Sequence, residues 1–399
     1  MAYIFIFFII ELLQFFFFLN KKRRNILVFI NTLFQTALCV GAIIYLNLGF
    51  YEYEVILWPL LLFAVLNFVS NYAIAGPFEI DDFAIAKSTL FDFLAVVYVV
   101  FSVYFFFWKW GEAQALSESG DYLEAYKEAH SEHVSFHSNI FEQILVNYID
   151  YFYLPILLYG FCCLAQKRAI YGISVIFSVF LGRYMYATVY SSRTILFSLL
   201  FSLIICVIMF GKFFSKKSKK LIKIFGGGLI LAIVIVIVSI SASRFEGQEL
   251  AEWIYAYFGR SIITFQDVVG SMKRYSDGSI FFSYIVDYLP LDNHEPITSR
   301  DTGFNFVPEF ARLYEDFGIW FVGFLLLPVY IIIRKHFTKK KRHFADYYLV
   351  FSYFFAIFIG NLYKTMDFIG MVMIVVIYQL LKFSDTKFLK KYKRIVIKS

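Results

Sequence analysis

Five arginines, Arg244, Arg260, Arg274, Arg300 and Arg312, stand against a single lysine, Lys273, in the polar stretch 241–318, while the rest of the chain strongly prefers lysine. Arginine is a planar, permanently charged fork that grips phosphate or carboxylate at two points, whereas lysine is a solvated point charge. The stretch therefore suggests a site for an anionic group. It would also suit ordinary pairs of arginine with carboxylates in a folded loop. Arg260, Arg300, Arg244 and Arg312 are its candidate phosphate ligands.

A second constellation lies in GRYMYATVYSSR, where Arg183, Tyr186, Tyr190 and Arg193 follow an i, i+3, i+7, i+10 spacing and share one helix face. Arginine inside an apolar span is costly and turns toward a bundle interior or watery cavity with a partner. Arg183, Tyr186 and Tyr190 are thus candidates to line a substrate cavity. Alternatively, the tyrosines belong to an interfacial belt and Arg183 pairs with a buried acid such as Asp150 or Asp367. Arg193 is expected at the depth of a lipid phosphate. Near residue 309, Glu309, Arg312 and Asp316 fall at i, i+3, i+7, preceded by Arg300, Asp301 and Asn305. A carboxylate beside an arginine could be a general base next to an anion clamp, or half of a helix pair that contributes a few tenths of a kcal/mol. His294 is the second candidate base. His130, His133 and His137 share a helical spacing that suits zinc only weakly, and a solvated face is the expectation. Asp81–Asp82 is a weak signal in a short loop. No phosphate-cradling glycine loop, nucleophile elbow or HExxH is present, so no metal and no cofactor are expected.

The elements that must position these groups are apolar helices. With 60% hydrophobic residues, 22% aromatics and mean hydropathy +0.68, the composition excludes an ordinary soluble globule. Runs of about 17–25 apolar residues predict eleven spans, over 2–19, 25–50, 55–74, 89–108, 143–165, 169–190, 194–211, 222–240, 319–334, 346–362 and 367–382. Basic residues mark cytoplasmic loops, and alternation from an outer N-terminus puts 26 of the 37 inside. Of those 26, six are arginine; of the 11 outside, seven are. The fold class expected is an all-α polytopic membrane protein, one integral domain over 1–399. It carries a smaller outer loop at 109–143 and a large one at 241–318, with a cytoplasmic C-terminus. The first run reads as a retained span rather than a signal peptide. In the large loop, AEWIYAYFGRSIITFQDVV predicts amphipathic helices on or dipping into the outer interface. PEFARLYEDFG predicts a short helix that starts at Pro308 and stops at Gly318. The net charge of +7 fits inner-face lysines against anionic lipid and says nothing of nucleic acid. All four cysteines fall in spans, so no disulfide framework is implied.

The stretch TGFNFVPEFARLYEDFGIWFVGF resembles the segment that closes the major periplasmic loop of O-antigen polymerases, the oligosaccharide repeat-unit polymerases of the lipid-linked pathway. The matching elements are Gly303, Asn305 and Asp316–Phe317–Gly318, and SSRT with Arg193 resembles the family's arginine there. An Arg-x10-Gly pattern described for some members is absent, Arg260 to Gly270 being one residue short. The resemblance implies a fold like that of C-type glycosyltransferases in a bacterial inner membrane. It implies polymerisation of undecaprenyl-diphosphate-linked repeat units into O-antigen or a related surface polysaccharide, with a chain-length regulator as a partner. Arg193, Arg260 and Arg300, supported by Arg244 and Arg312, would then bind the diphosphate. Glu309 or His294 would be the base, and Asn305 would line the substrate cavity. An O-antigen ligase is the nearest alternative, although its histidine-centred motif is poorly matched by His294 followed by Gly303. A lipid-linked oligosaccharide flippase is another; such transporters use broken helices and repeats, and neither is evident in the sequence.

Overall fold

The computed structural model of the chain describes residues 2–51, 53–78, 89–122, 140–166, 168–244, 250–282, 296–300, 307–339, 343–361 and 368–396. Asp81, Asp82, the histidines at 130, 133 and 137, His294, Asp301, Gly303, Asn305 and Asp367 lie outside them.

The described chain is built of helices, as apolar segments without water must satisfy their own backbone groups. They are α1 (Ala2–Leu19), α2 (Ile26–Asn47), α3 (Leu57–Ala73), α4 (Thr89–Ser119), α5 (Ile140–Ala165), α6 (Ala169–Val189), α7 (Arg193–Phe210), α8 (Lys216–Arg244), α9 (Leu250–Ser271), α10 (Glu309–Phe317), α11 (Leu327–Phe337), α12 (Phe344–Gly360) and α13 (Phe368–Val396). One strand pair, β1 (Met272–Arg274) and β2 (Ile297–Thr298), runs antiparallel. Local chemistry sets several ends. Asn25, next to the basic cluster, caps α2 by accepting from the amides of Leu27 and Val28 at 2.9 and 3.0 Å.

Among the described residues, seven helices are long and apolar enough to cross a membrane: Ala2–Leu19, Ile26–Asn47, Leu90–Ser119, Phe141–Ala165, Ala169–Val189, Arg193–Phe213 and Ser218–Ser241. An eighth arises if Glu309–Trp320 and Val322–Phe337, bent by 105° at their junction, count as one. Three shorter apolar helices, Leu57–Ala73, Phe344–Gly360 and Phe368–Phe383, coincide with the remaining expected spans. The chain is therefore an all-α polytopic membrane protein. The bend differs from the sequence expectation, which contained no broken helix. Its source is local: Gly318 adopts φ +56°, and a π-helical stretch, Val322–Leu326, follows it before α11.

The helices cluster into two compact units. The first comprises 1–79 and 248–380, and the second 80–247 and 381–399. In the first, an aromatic spine joins α1, α3, α9 and α10: Phe63 lies 6.1 Å from Phe7, 4.5 Å from Phe265 and 6.2 Å from Phe310, centroid to centroid. Here the interfacial reading of α9 is corrected. Residues 261–269 are buried, and Ile262, Phe265 and Val268 belong to the unit's core. Paired glycines explain the difference. A Cβ at Gly259 would lie 2.5 Å from the backbone of α2, and one at Gly41 would meet the Phe258 backbone at 2.6 Å. Two helix backbones touch there, a contact small residues permit inside membranes.

In the second unit, α5 and α6 cross with equal intimacy. A Cβ at Gly172 would stand 2.7 Å from the Gly160 carbonyl. Near the start of α4, Asp92 accepts from Tyr159 at 2.7 Å and pairs with Arg168 at 3.1 Å.

Candidate functional site

The site in the first unit begins with chain geometry. Helix α9 ends at Ser271, β1 continues it, and β2 returns antiparallel with Thr298 opposite Met272. The Ser299 amide donates to the Ser271 carbonyl at 3.0 Å. This return brings Arg300 beside the last turn of α9, where Arg300 Nη1 reaches Asp267 Oδ1 at 2.8 Å. The connection between α2 and α3 completes the cluster. The Ile56 amide donates to Gln266 Oε1 at 2.6 Å, which anchors that connection. Tyr51 Oη donates to Asp267 and accepts from Gln266 Nε2 at 2.6 Å and from Arg300 Nη1 at 3.1 Å. A phenol oxygen that donates once and accepts twice is saturated. Arg300 also donates to the Glu54 carbonyl at 3.0 Å and lies 5.2 Å from the Tyr53 ring centroid.

The electrostatics follow from burial. The Asp267 side chain is 4% exposed and that of Arg300 17%. Burial pushes the Asp267 carboxyl above its usual value, and the hydrogen bonds from Tyr51 and Arg300 offset this only in part. Burial also pushes the Tyr51 phenol up, and the bond to Asp267 adds to the effect. The cluster can hold a guanidinium in a fixed orientation beside a carboxylate whose proton affinity burial raises. Among the described residues, the bonds of Arg300 run through Nη1. Arg260 sits on α9, seven residues before Asp267 and half-buried, with no ion-pair partner among the described residues.

Glu309 opens α10 with Pro308 as the preceding cap residue. It is buried at the wall of a cavity of about 70 Å³ whose other walls, including Phe281, Phe310, Leu313, Tyr353 and Met371, are apolar or aromatic. Arg312 pairs with Glu315 of its own helix at 2.8 Å. Asp316 holds the preceding turn, accepting from Ser276 Oγ and from the Ile280 amide, the latter at 3.1 Å. A Cβ on Gly318 would come within 3.1 Å of the Tyr275 ring, and its φ of +56° already favours glycine. Asp316 and Gly318 thus have structural tasks. On the expected common face, Glu309 lines the cavity, Arg312 pairs with Glu315 and Asp316 holds the turn before the helix.

In the second unit, Arg183 is buried and paired with Asp150, one of the two acids anticipated for it. Its Nη2 lies 3.3 Å from Ser198 Oγ, and its guanidinium stands 4.2 Å from the Tyr153 centroid and 6.0 Å from that of Tyr186. Tyr186 meets Tyr190 edge-on at 4.9 Å, and Tyr190 Oη lies 3.1 Å from Glu142 Oε1, which also pairs with Lys109 at 2.9 Å. Arg183, Tyr186 and Tyr190 thus each have a partner within the unit. Arg193 begins α7, with Nη1 3.3 Å from Ser241 Oγ. Arg244 ends α8. An apolar cavity of about 490 Å³ among α5, α6, α7 and α8 includes Phe161, Ile176, Phe177, Leu203 and Ile230 in its walls and carries no acid–base group beyond Lys223.

Asp267, Gln266 and Tyr51 escaped the sequence reading. Their one visible signal is the adjacent polar pair inside the apolar run SIITFQDVV. Among the described residues no group of three histidine, cysteine, aspartate or glutamate side chains could hold a metal ion. No family model, no curated protein and no solved structure matches this chain.

Proposed function

We propose that the chain polymerises undecaprenyl-diphosphate-linked oligosaccharide repeat units at the outer face of a bacterial inner membrane. In this reaction an acceptor hydroxyl attacks the anomeric carbon of the donor glycan. The carbon–oxygen bond to the carrier diphosphate breaks, and the hydroxyl proton passes to a base. Negative charge builds on the departing diphosphate, and a preorganised cation stabilises it most effectively. The observation that carries the reading is Arg300. It is oriented by Asp267, Tyr51 and the Glu54 carbonyl and braced near Tyr53. Arg260, on the helix that carries Asp267, supports it as a second cation. Asp267 and Glu309, both buried carboxylic acids, join His294 as candidates for the base.

Arg300→Lys keeps the charge and loses the fork. With normal expression in cells lacking the native gene, the variant should cut glycan polymer yield by about a hundredfold, the scale of losing one oxyanion donor. Full-length ladders from Arg300→Lys would remove diphosphate recognition by this residue.

One observation favours a flippase as a second reading. The 105° turn between Glu309–Trp320 and Val322–Phe337 is the kind of helix break that transporters place beside substrate.

A further inference from the structure

Three helices of the first unit, α1, α2 and α3, contain one ionisable acid or base of the Asp, Glu, Lys, Arg and His types between them: Glu11. It lies in the middle of α1 with 2% exposure. Among the described residues no cation pairs with it, and its hydrogen bond comes from Asn67 Nδ2 on α3 at 3.1 Å. A carboxylate buried without a cation is strongly disfavoured in its charged form, so the site favours a bound cation.

The surrounding atoms indicate what that is. Having given its amide nitrogen to Glu11, Asn67 keeps a buried Oδ1 with no hydrogen-bond partner. One helical turn along α1, Gln14 donates to the Ala64 carbonyl at 2.9 Å and likewise leaves a buried, unpartnered Oε1. The α1–α3 seam thus offers a carboxylate and two amide oxygens, all acceptors. The ionisable groups facing Glu11 supply no compensation. Cys39 on α2 lies within its electrostatic reach, and α3 brings none but Tyr72. Polar side chains then extend from this point through the interior. Asn71, one turn after Asn67, donates to Gln35 at 2.9 Å and accepts from Asn31 at 2.8 Å, and Asn361 lies 3.5 Å from Asn31.

We propose that Glu11, with the oxygens of Gln14 and Asn67, forms an exchangeable site for a small cation, a proton or a sodium ion, inside the bundle. Bound as a proton, the cation converts the carboxylate into a hydroxyl donor for one of the two orphaned oxygens. Bound as sodium, it would draw its oxygen ligands from the Glu11 carboxylate and the amide oxygens of the seam. The site is independent of the polymerase reading and would stand if that reading failed.

The purified full-length protein, reacted with dicyclohexylcarbodiimide and mapped by mass spectrometry, tests it, because that reagent attacks protonated carboxyls in apolar surroundings. A proton site predicts a Glu11 adduct whose yield falls about tenfold per pH unit above the carboxyl's own pKa, without protection by sodium. A sodium site predicts suppression of the adduct when sodium chloride replaces choline chloride at constant ionic strength. A second measurement is the thermal midpoint of the wild type minus that of Glu11→Gln, a variant of the same shape. This difference should move with the same variable, and Gln14→Ala or Asn67→Ala should weaken the response. If neither adduct yield nor the midpoint difference responds to sodium or pH, the site is overturned.

Discussion

Arg300 and Asp267 hold each other in place beside the β1–β2 pair, and Tyr51 locks the pair from a connection 216 residues earlier than Asp267. The raised carboxyl of Asp267 makes a signed prediction about stability. Its native value lies above the unfolded value of about 3.9, so its contribution is fully present below that value and is lost as pH rises through the native one. Denaturant unfolding in detergent should therefore show the wild type losing stability relative to Asp267→Asn as pH climbs from below about 4, with a constant difference once the carboxyl is fully ionised. A difference that moves the other way would show that Arg300 and Tyr51 outweigh burial. At this scale the sequence was partly legible. Arg300 was singled out by residue type, and Asp150 by the need of a buried Arg183 for an acid. Tyr51 and Asp267 were not, because contact between positions so distant in the chain leaves no periodic trace.

Helix boundaries were legible wherever chain chemistry sets them. The Pro308 start and Gly318 stop of α10 fall where a proline and a positive-φ glycine require them. Helix α9 shows the opposite case. Its mixed polar and apolar faces predicted an interfacial helix, yet its second half is core. The deciding residues are glycines on two different helices, and spacing within one segment cannot reveal that Gly259 meets Gly41. Gly259→Ala should therefore force the α2 and α9 backbones apart and destabilise the protein by about 1–3 kcal/mol or more. Gly227→Ala, where an added Cβ meets nothing within 4 Å, should leave stability unchanged or slightly raised. Thermal unfolding of both variants in detergent checks the pair, and equal midpoints would contradict the close-contact account of α9.

For the whole molecule, the apolar runs foretold where helices form, because the hydropathy of a span lies within one continuous segment, but not the 105° bend near Trp320. Sidedness rests on charge counts alone. The skew of 26 basic residues against 11 predicts that a reporter active only outside the membrane works when fused near Asp277 and fails when fused near Lys219. The reverse pattern would turn the protein over and remove the outer site with it. The central claim, polymerisation, is tested most directly by deleting the gene and resolving the lipid A–core glycans by size. The account predicts core bearing a single repeat unit, since flipping and ligation continue without polymerisation. Bare core with carrier-linked polymer would identify a ligase, repeat units stalled on the inner leaflet would identify a flippase, and either result would contradict the polymerase reading.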